Sequence, residues 1–201
     1  MARILQQHLV EDPTRRAWTR KGTAVFVDIS GFTKLSERLA RKGREGAEQI
    51  TEAIEKSFES ILFVAYENGG SLLKFGGDAL LLWFEGDGHA VRACRATVLM
   101  RRTLRGVGRI EVPGAKVTLR MAQGVHAGSF HFFAVGTTHT ELLPTGPGWS
   151  RLVTMEHSAA AGEIVISPET AALLPRWLPG RSARSGNAAR REPSGIRRRC
   201  R

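Results

Sequence analysis

Cysteine is nearly missing from this chain: only Cys94 and Cys200 occur in 201 residues. The first falls in a helical pattern and the second in the terminal segment, so a disulfide framework and a thiolate metal site are both excluded, and a reducing compartment fits. Long hydrophobic runs are also missing. No apolar run exceeds six residues, which rules out a membrane-spanning helix by pattern. No charged-then-apolar leader opens the chain, so a cytoplasmic protein is expected. Negative charge is scarce, with 19 acidic against 30 basic residues, yet the deficit is local. Arg176 to Arg201 holds nine arginines and one glutamate, or +8 of the net +11, and leaves +3 for residues 1 to 175. A basic nucleic-acid-binding face on the folded part is therefore not indicated. The sequence contains no Gly-rich P-loop and no nucleophile elbow. His126, His131, His139 and His157 share no metal-ligand spacing.

What is present is enough for one core. With 42% hydrophobic residues, a chain of this length is expected to form one globular domain. Its centre is Leu72 to Phe84, two apolar arms around Gly76-Gly77-Asp78, which reads as a β-hairpin. Arms this apolar predict a hairpin placed mid-sheet, with Asp78 fixed at its tip and Lys74 four residues earlier. Gly22 to Thr33 is a second buried strand, about Thr23 to Asp28, ending in a carboxylate and turning through Ser30-Gly31.

Taken in order, residues 1–21 read as an N-terminal arm, 22–174 as the domain and 175–201 as an Arg-rich disordered tail, because Arg, Ser, Gly and Pro dominate there without period. Ser30 and Thr33 offer caps to a short helix, Phe32 to Arg41. A longer helix, about Glu45 to Glu67, carries Ala47, Ile50, Ile54, Phe58, Ile61, Leu62 and Ala65 on one stripe. A third, about His89 to Leu104, points Val91, Cys94, Val98 and Met100 inward and several arginines outward, as a solvated face. Strands follow at Lys116 to Gln123, Ser129 to Val135 and Glu141 to Leu143, then a helix from Trp149 to Ala161 and a last strand, Glu163 to Ile166. This order predicts an α+β fold, one mixed sheet with helices on a face.

Asp28 and Asp78 each end a buried strand, and pairing of those strands would bring the carboxylates together. Two such groups repel, so a divalent cation or a shared proton is expected between them. Mg²⁺ takes one or two carboxylates plus phosphate oxygens, and a helix starting beside Asp28 at Ser30-Gly31-Phe32-Thr33 offers free N–H groups to phosphate. Either motif alone is as well explained by a capped turn or an ordinary hairpin. Together, with Lys74 nearby, they favour a shared site.

Phe26-Val27-Asp28-Ile29-Ser30-Gly31-Phe32-Thr33 and Lys74-Phe75-Gly76-Gly77-Asp78-Ala79-Leu80 resemble the paired metal motifs of class III nucleotidyl (adenylate/guanylate) cyclases, in particular the soluble-adenylyl-cyclase-like branch. The similarity runs from about Gly22 to Leu174. It implies a ferredoxin-like, palm-type cyclase homology domain with helices packed on a mixed sheet, dimerising head to tail with another copy or another cyclase domain. It further implies two Mg²⁺ or Mn²⁺ held by Asp28, the Ile29 carbonyl and Asp78. Gly31, Phe32 and Thr33 would contact a nucleoside triphosphate, ATP more than GTP, and Lys74 matches the base-recognising position. The product would be a 3′,5′-cyclic nucleotide. Diguanylate cyclases share Gly-Gly-Asp, but their Phe-Lys pair after the first Asp and acidic residue after the second are replaced here by Gly-Phe-Thr and Ala79.

The downstream half departs from the family. Counting back from Gly162-Glu163-Ile164-Val165, the asparagine and arginine that support the transition state fall on Ser150 and Thr154, and the second base-specifying position falls near Leu143. Arg151 stands three residues early. Loss of a preorganised donor costs roughly 10² to 10³ in rate, so the resemblance implies the metal-donating half of a dimer or, alternatively, a regulatory half that binds nucleotide or a small anion. A short patternless basic tail implies no specific nucleic-acid binding.

Overall fold

The computed structural model describes residues 2–31, 44–112, 115–136, 140–175, 181–182 and 198–199. The element order is α1 (Arg3–Glu11), β1 (Ala17–Ser30), α2 (Arg44–Glu67), β2 (Ser71–Gly76), β3 (Ala79–Phe84), α3 (His89–Val107), β4 (Arg109–Val112), β5 (Ala115–Thr118), β6 (Arg120–Val135), β7 (Glu141–Thr145), α4 (Pro147–His157), β8 (Ile164–Ile166), α5 (Pro168–Ala172), β9 (Arg181–Ser182) and β10 (Arg198–Arg199). The main sheet runs β2-β3-β1-β6-β8-β10-β9, with β7 also on β6; β4 and β5 form a separate ribbon. Only β6 and β8 pair in parallel among the described strands, so the sheet is mixed and the fold is α+β. The expected helix Phe32 to Arg41 lies outside the described residues.

Strand alternation sorts the core into two layers. Val25, Val27 and Ile29 of β1 and Leu80, Leu82 and Phe84 of β3 pack with Ile61 and Ala65 of α2 and Ala93, Met100 and Leu104 of α3. Ala24 and Phe26, with Trp83, Phe130 and Phe132, pack instead with Ile4 and Leu5 of α1 and Trp149 and Leu152 of α4. Helices therefore cover both faces of the sheet rather than one. This double cover is why the centre of β1, Gly22 to Val25, is buried on both sides.

Four other expectations change. The N-terminal arm is a helix and a strand: Ile4 and Leu5 are only 2% exposed. His8 stacks on Trp18 with centroids 3.6 Å apart, and its Nε2–H donates to the Arg15 carbonyl at 2.6 Å. The hairpin is correct in extent, but only β3 is interior. Strand β2 is an edge, its last three residues exposed, and the cover its apolar content receives falls on Leu72 and Leu73, which pack into the two core layers. The two strands expected across Lys116 to Val135 are a short β5 and one continuous 16-residue β6, and β4 and α5 were not anticipated. In the tail, expected to be without structure, Arg198 and Arg199 pair with Ile166 and Val165, and Arg181 and Ser182 pair with them in turn.

The hairpin tip shows how sequence sets geometry. Gly76 faces Ala79, which leaves Gly77-Asp78 as a two-residue connection. Gly77 has φ +69°, and no described non-glycine residue has positive φ. That is the pattern of a II′-type turn, with glycine first, and it places Asp78 where the chain re-enters the sheet beside β1.

Candidate functional site

Asp28 and Asp78 are brought together. Asp28 sits opposite Ala79 of β3 and Ala122 of β6, and the Ile29 N–H donates to the Asp78 carbonyl at 3.1 Å, tying the hairpin tip to the end of β1. Partial burial first, and the charge of Asp78 second, push the Asp28 carboxyl above the ordinary aspartate range. The charge of Asp28 is thus disfavoured where it stands, and a second carboxylate beside it makes a donor set that fits a hard divalent cation. Among the described residues no three His, Cys, Asp or Glu side chains gather at one point, so any cation here would take its remaining oxygens from backbone, water or phosphate.

The other expected residues divide. Ser30 donates its hydroxyl to the Arg120 carbonyl at 3.3 Å, and Gly31 leaves the strand at φ +111°. Phe32 and Thr33 lie outside the described residues. Lys74 is exposed on edge strand β2, and its ion-pair partner is Glu141 at 3.9 Å rather than either aspartate; an exposed pair that long contributes little. Leu143 is exposed on β7. His126 is buried and its Nδ1 hydrogen-bonds Ser167 Oγ at 2.9 Å, His131 meets Thr19, and His157 is exposed; His139 lies outside the described residues.

One group was missed. Glu156 of α4 is 7% exposed. Burial raises its carboxyl above the ordinary glutamate range, His157 at 3.7 Å opposes this, and the charge of Asp28 adds to it. Asp28, like Ala24 and Phe26, is on the α4 side of the sheet, and Gly124 of β6 lets α4 approach closely enough to put Glu156 there. A signal existed: Trp149, Leu152 and Glu156 are spaced three and four apart, so a carboxylate occupies the next place on an apolar helical stripe.

No family model matches the chain. Among curated proteins it is 29% identical over 162 residues to "Adenylate cyclase type 10" of Homo sapiens, covering 78% of this chain and 10% of that protein. It is 26% identical over 126 residues to "Adenylate cyclase 1" of Rhizobium meliloti, covering 61% and 18%. The chain thus spans about a tenth of the length of the mammalian relatives it matches. Among solved structures, the adenylyl cyclase CyaB from P. aeruginosa superposes with a TM-score of 0.74 at 25% identity, covering 92% of this chain and 95% of that one. The guanylyl cyclase Cya2 gives 0.72 at 22% identity, covering 92% and 94%. The fold is that of the class III nucleotidyl cyclase catalytic domains, and the sequence is similar to those of adenylate cyclases.

On this fold α4 is the helix where the sequence resemblance puts the cyclases' transition-state asparagine and arginine. Ser150 and Thr154 are both exposed there, and Thr154 donates its hydroxyl to the Ser150 backbone carbonyl at 2.9 Å, so the Thr154 hydroxyl is used within its own helix. Arg151 is ion-paired with Glu169 of α5. The guanidinium that could have stood in for the missing arginine is therefore already engaged with this chain's own carboxylate.

Proposed function

We propose that the domain supplies the metal-binding half of a dimer-interface site that converts a nucleoside triphosphate, ATP in preference to GTP, into its 3′,5′-cyclic monophosphate and pyrophosphate. The observation that carries this reading is the Asp28–Asp78 pair, two carboxylates at the ends of adjacent strands that the Ile29 N–H bond to the Asp78 carbonyl ties together. Asp28, Asp78 and the Ile29 carbonyl would hold two Mg²⁺ or Mn²⁺, which when bound lower the pKa of a ribose hydroxyl and neutralise triphosphate charge. Gly31, Phe32 and Thr33 would face the triphosphate through backbone N–H groups, and Lys74 on the edge strand would face the base. The preference for ATP is supported by curated relatives named adenylate cyclases. The complementary half would come from a second copy or from another cyclase domain. No helix among the described residues is long and apolar enough to cross a membrane, and we place the reaction in the cytoplasm.

A second reading is favoured by α4. With Ser150 and Thr154 uncharged and Arg151 tied to Glu169, the chain also suits a regulatory half that binds nucleotide and controls a partner. One experiment separates the readings. The chain is mixed with a complete cyclase domain whose own metal-binding aspartates are replaced, and cyclic nucleotide is measured with ATP and Mn²⁺. Activity that appears only in the mixture, and disappears with Asp28→Ala or Asp78→Ala, supports the catalytic half. Mn²⁺-dependent ATP affinity unchanged in both variants by calorimetry would overturn the metal site itself.

A further inference from the structure

The arginines of α3 read from sequence as a solvated face. In the structure Arg101 and Arg105, one turn apart, line a single cavity of about 330 Å³ together with Arg109 at the start of β4 and Arg120 at the start of β6. Its one acidic lining residue is Glu163. The frame is set by backbone: Gly108 N donates to Leu104 O at 2.7 Å, Leu119 N to Gly108 O at 2.8 Å, and Gly162 N to Met121 O at 2.8 Å. These bonds fasten the end of α3, the β5–β6 junction and the turn before β8 to one another. The arginines converge because three separate elements are pinned there.

Four arginines against one glutamate leave the lining positive. Arg101 and Glu163 are both already engaged, in part with the Gly162 carbonyl at 3.4 Å and Ala160 N at 3.2 Å. No carboxylate among the described residues pairs with Arg105, Arg109 or Arg120. Attraction to the helix C-terminus accounts for Arg105. It does not account for Arg109 and Arg120, which are on strands. The cavity also differs in place from the aspartate pair: it is built from the end of α3, the β5–β6 junction and the turn before β8, and neither Asp28 nor Asp78 lines it.

We propose that this cavity is a second anion site, separate from the aspartate pair, that takes the di- or triphosphate group of a small molecule without a divalent cation. Guanidinium groups stay charged and bind phosphate oxygens two at a time, so Arg105, Arg109 and Arg120, none paired with a carboxylate among the described residues, suit several linked phosphates better than one. The volume is at the small end of ligand clefts, roughly 300 to 1,000 Å³, and fits a short phosphate chain with little else. Such a group comes either on a nucleotide or as free polyphosphate.

Calorimetric titration of the full chain in EDTA with inorganic triphosphate, ATP and a cyclic nucleotide tests the site. Triphosphate and ATP are expected to bind once per chain, and the cyclic monophosphate about tenfold or more weaker. Tighter binding of ATP than of triphosphate assigns a nucleotide, and the reverse assigns free polyphosphate; either supports the site. Arg105→Gln with Arg109→Gln, both exposed positions, should weaken triphosphate about tenfold or more with the melting temperature kept. Asp28→Asn with Asp78→Asn should change it less than about threefold. The proposal is overturned by no saturable binding, by equal affinity in the arginine variant, which would move the anion to the tail, or by loss in the aspartate variant. Preference for an oligonucleotide over triphosphate at equal phosphate concentration overturns it as well.

Discussion

Gly124→Ala is the sharpest probe of how α4 is seated. A methyl carbon built at Gly124 would lie 2.4 Å from Glu156 N, 2.8 Å from Leu152 O and 2.9 Å from Glu156 Cα. All three atoms are helix backbone, so no side-chain rotation can relieve the clash. Ordinary contact begins near 3.4 Å, so α4 has to retreat by 3.4 − 2.4, or 1.0 Å. That shift loosens Trp149 and Leu152, which pack against Phe130 and Phe132, and it moves Glu156 relative to Asp28. Overpacking of this kind costs about 1 to 3 kcal/mol. At roughly 2 to 4 °C per kcal/mol for a domain of this size, the melting temperature should fall by about 2 to 12 °C. Thermal melting followed by circular dichroism reads the change. Gly106→Ala is the control: it lies in α3 with nothing within 4 Å of an added Cβ, and relief of glycine's entropy cost should stabilise it by about 0.5 to 1 kcal/mol. A Gly124→Ala melting temperature equal to wild type, with Gly106→Ala behaving as expected, would refute the backbone-contact account of α4.

Three further outcomes are expected. Restoring Ser150→Asn and Thr154→Arg together should raise turnover of the chain alone by roughly 10² to 10³, each change alone giving less because such residues act as a unit; wild-type turnover already at roughly 1 to 10 s⁻¹ would sink the argument. Leu5→Ala should destabilise by about 2 to 5 kcal/mol because the side chain is fully packed against the second core layer, and a melting temperature within a degree or two of wild type would restore the segment to an arm. Burial depresses the His126 pKa below the ordinary histidine value, with Glu169 opposing and Arg151 adding to the effect, so the unfolded chain binds this proton more readily than the folded one. Its contribution to stability is therefore complete above about pH 6.5 and is lost as pH falls from there through the folded value. Urea midpoints measured from pH 8 to 5 should decline more steeply in wild type than in His126→Asn, and parallel curves would contradict the assignment.

Much of the candidate site was determined by sequence alone, because it is built from local rules. Gly76-Gly77-Asp78 between two apolar arms can hardly form anything but a tight hairpin, and a Val/Phe run ending at Asp28 marks the strand that receives it. The stripe of α2 and the departure at Ser150 and Thr154 are likewise readable one residue at a time. Tertiary structure decided the rest, because it depends on distances between residues remote in the chain. Residues 3–11 carry too few apolar positions to announce a packed helix, and become one only because Trp18, Trp83 and Phe132 leave a surface for Ile4 and Leu5 to cover. Strand β6 runs unbroken through Gly124, Ala127 and Gly128, where alternation is weak, because it pairs with β1 along its length while α4 presses on Gly124. That pressure places Glu156 near Asp28, more than a hundred positions away in sequence. Arg101 and Arg120 look like two unrelated surface charges until the turn at Gly108 and the bond from Leu119 to it fold α3 back against β6; backbone geometry, not pattern, makes them neighbours.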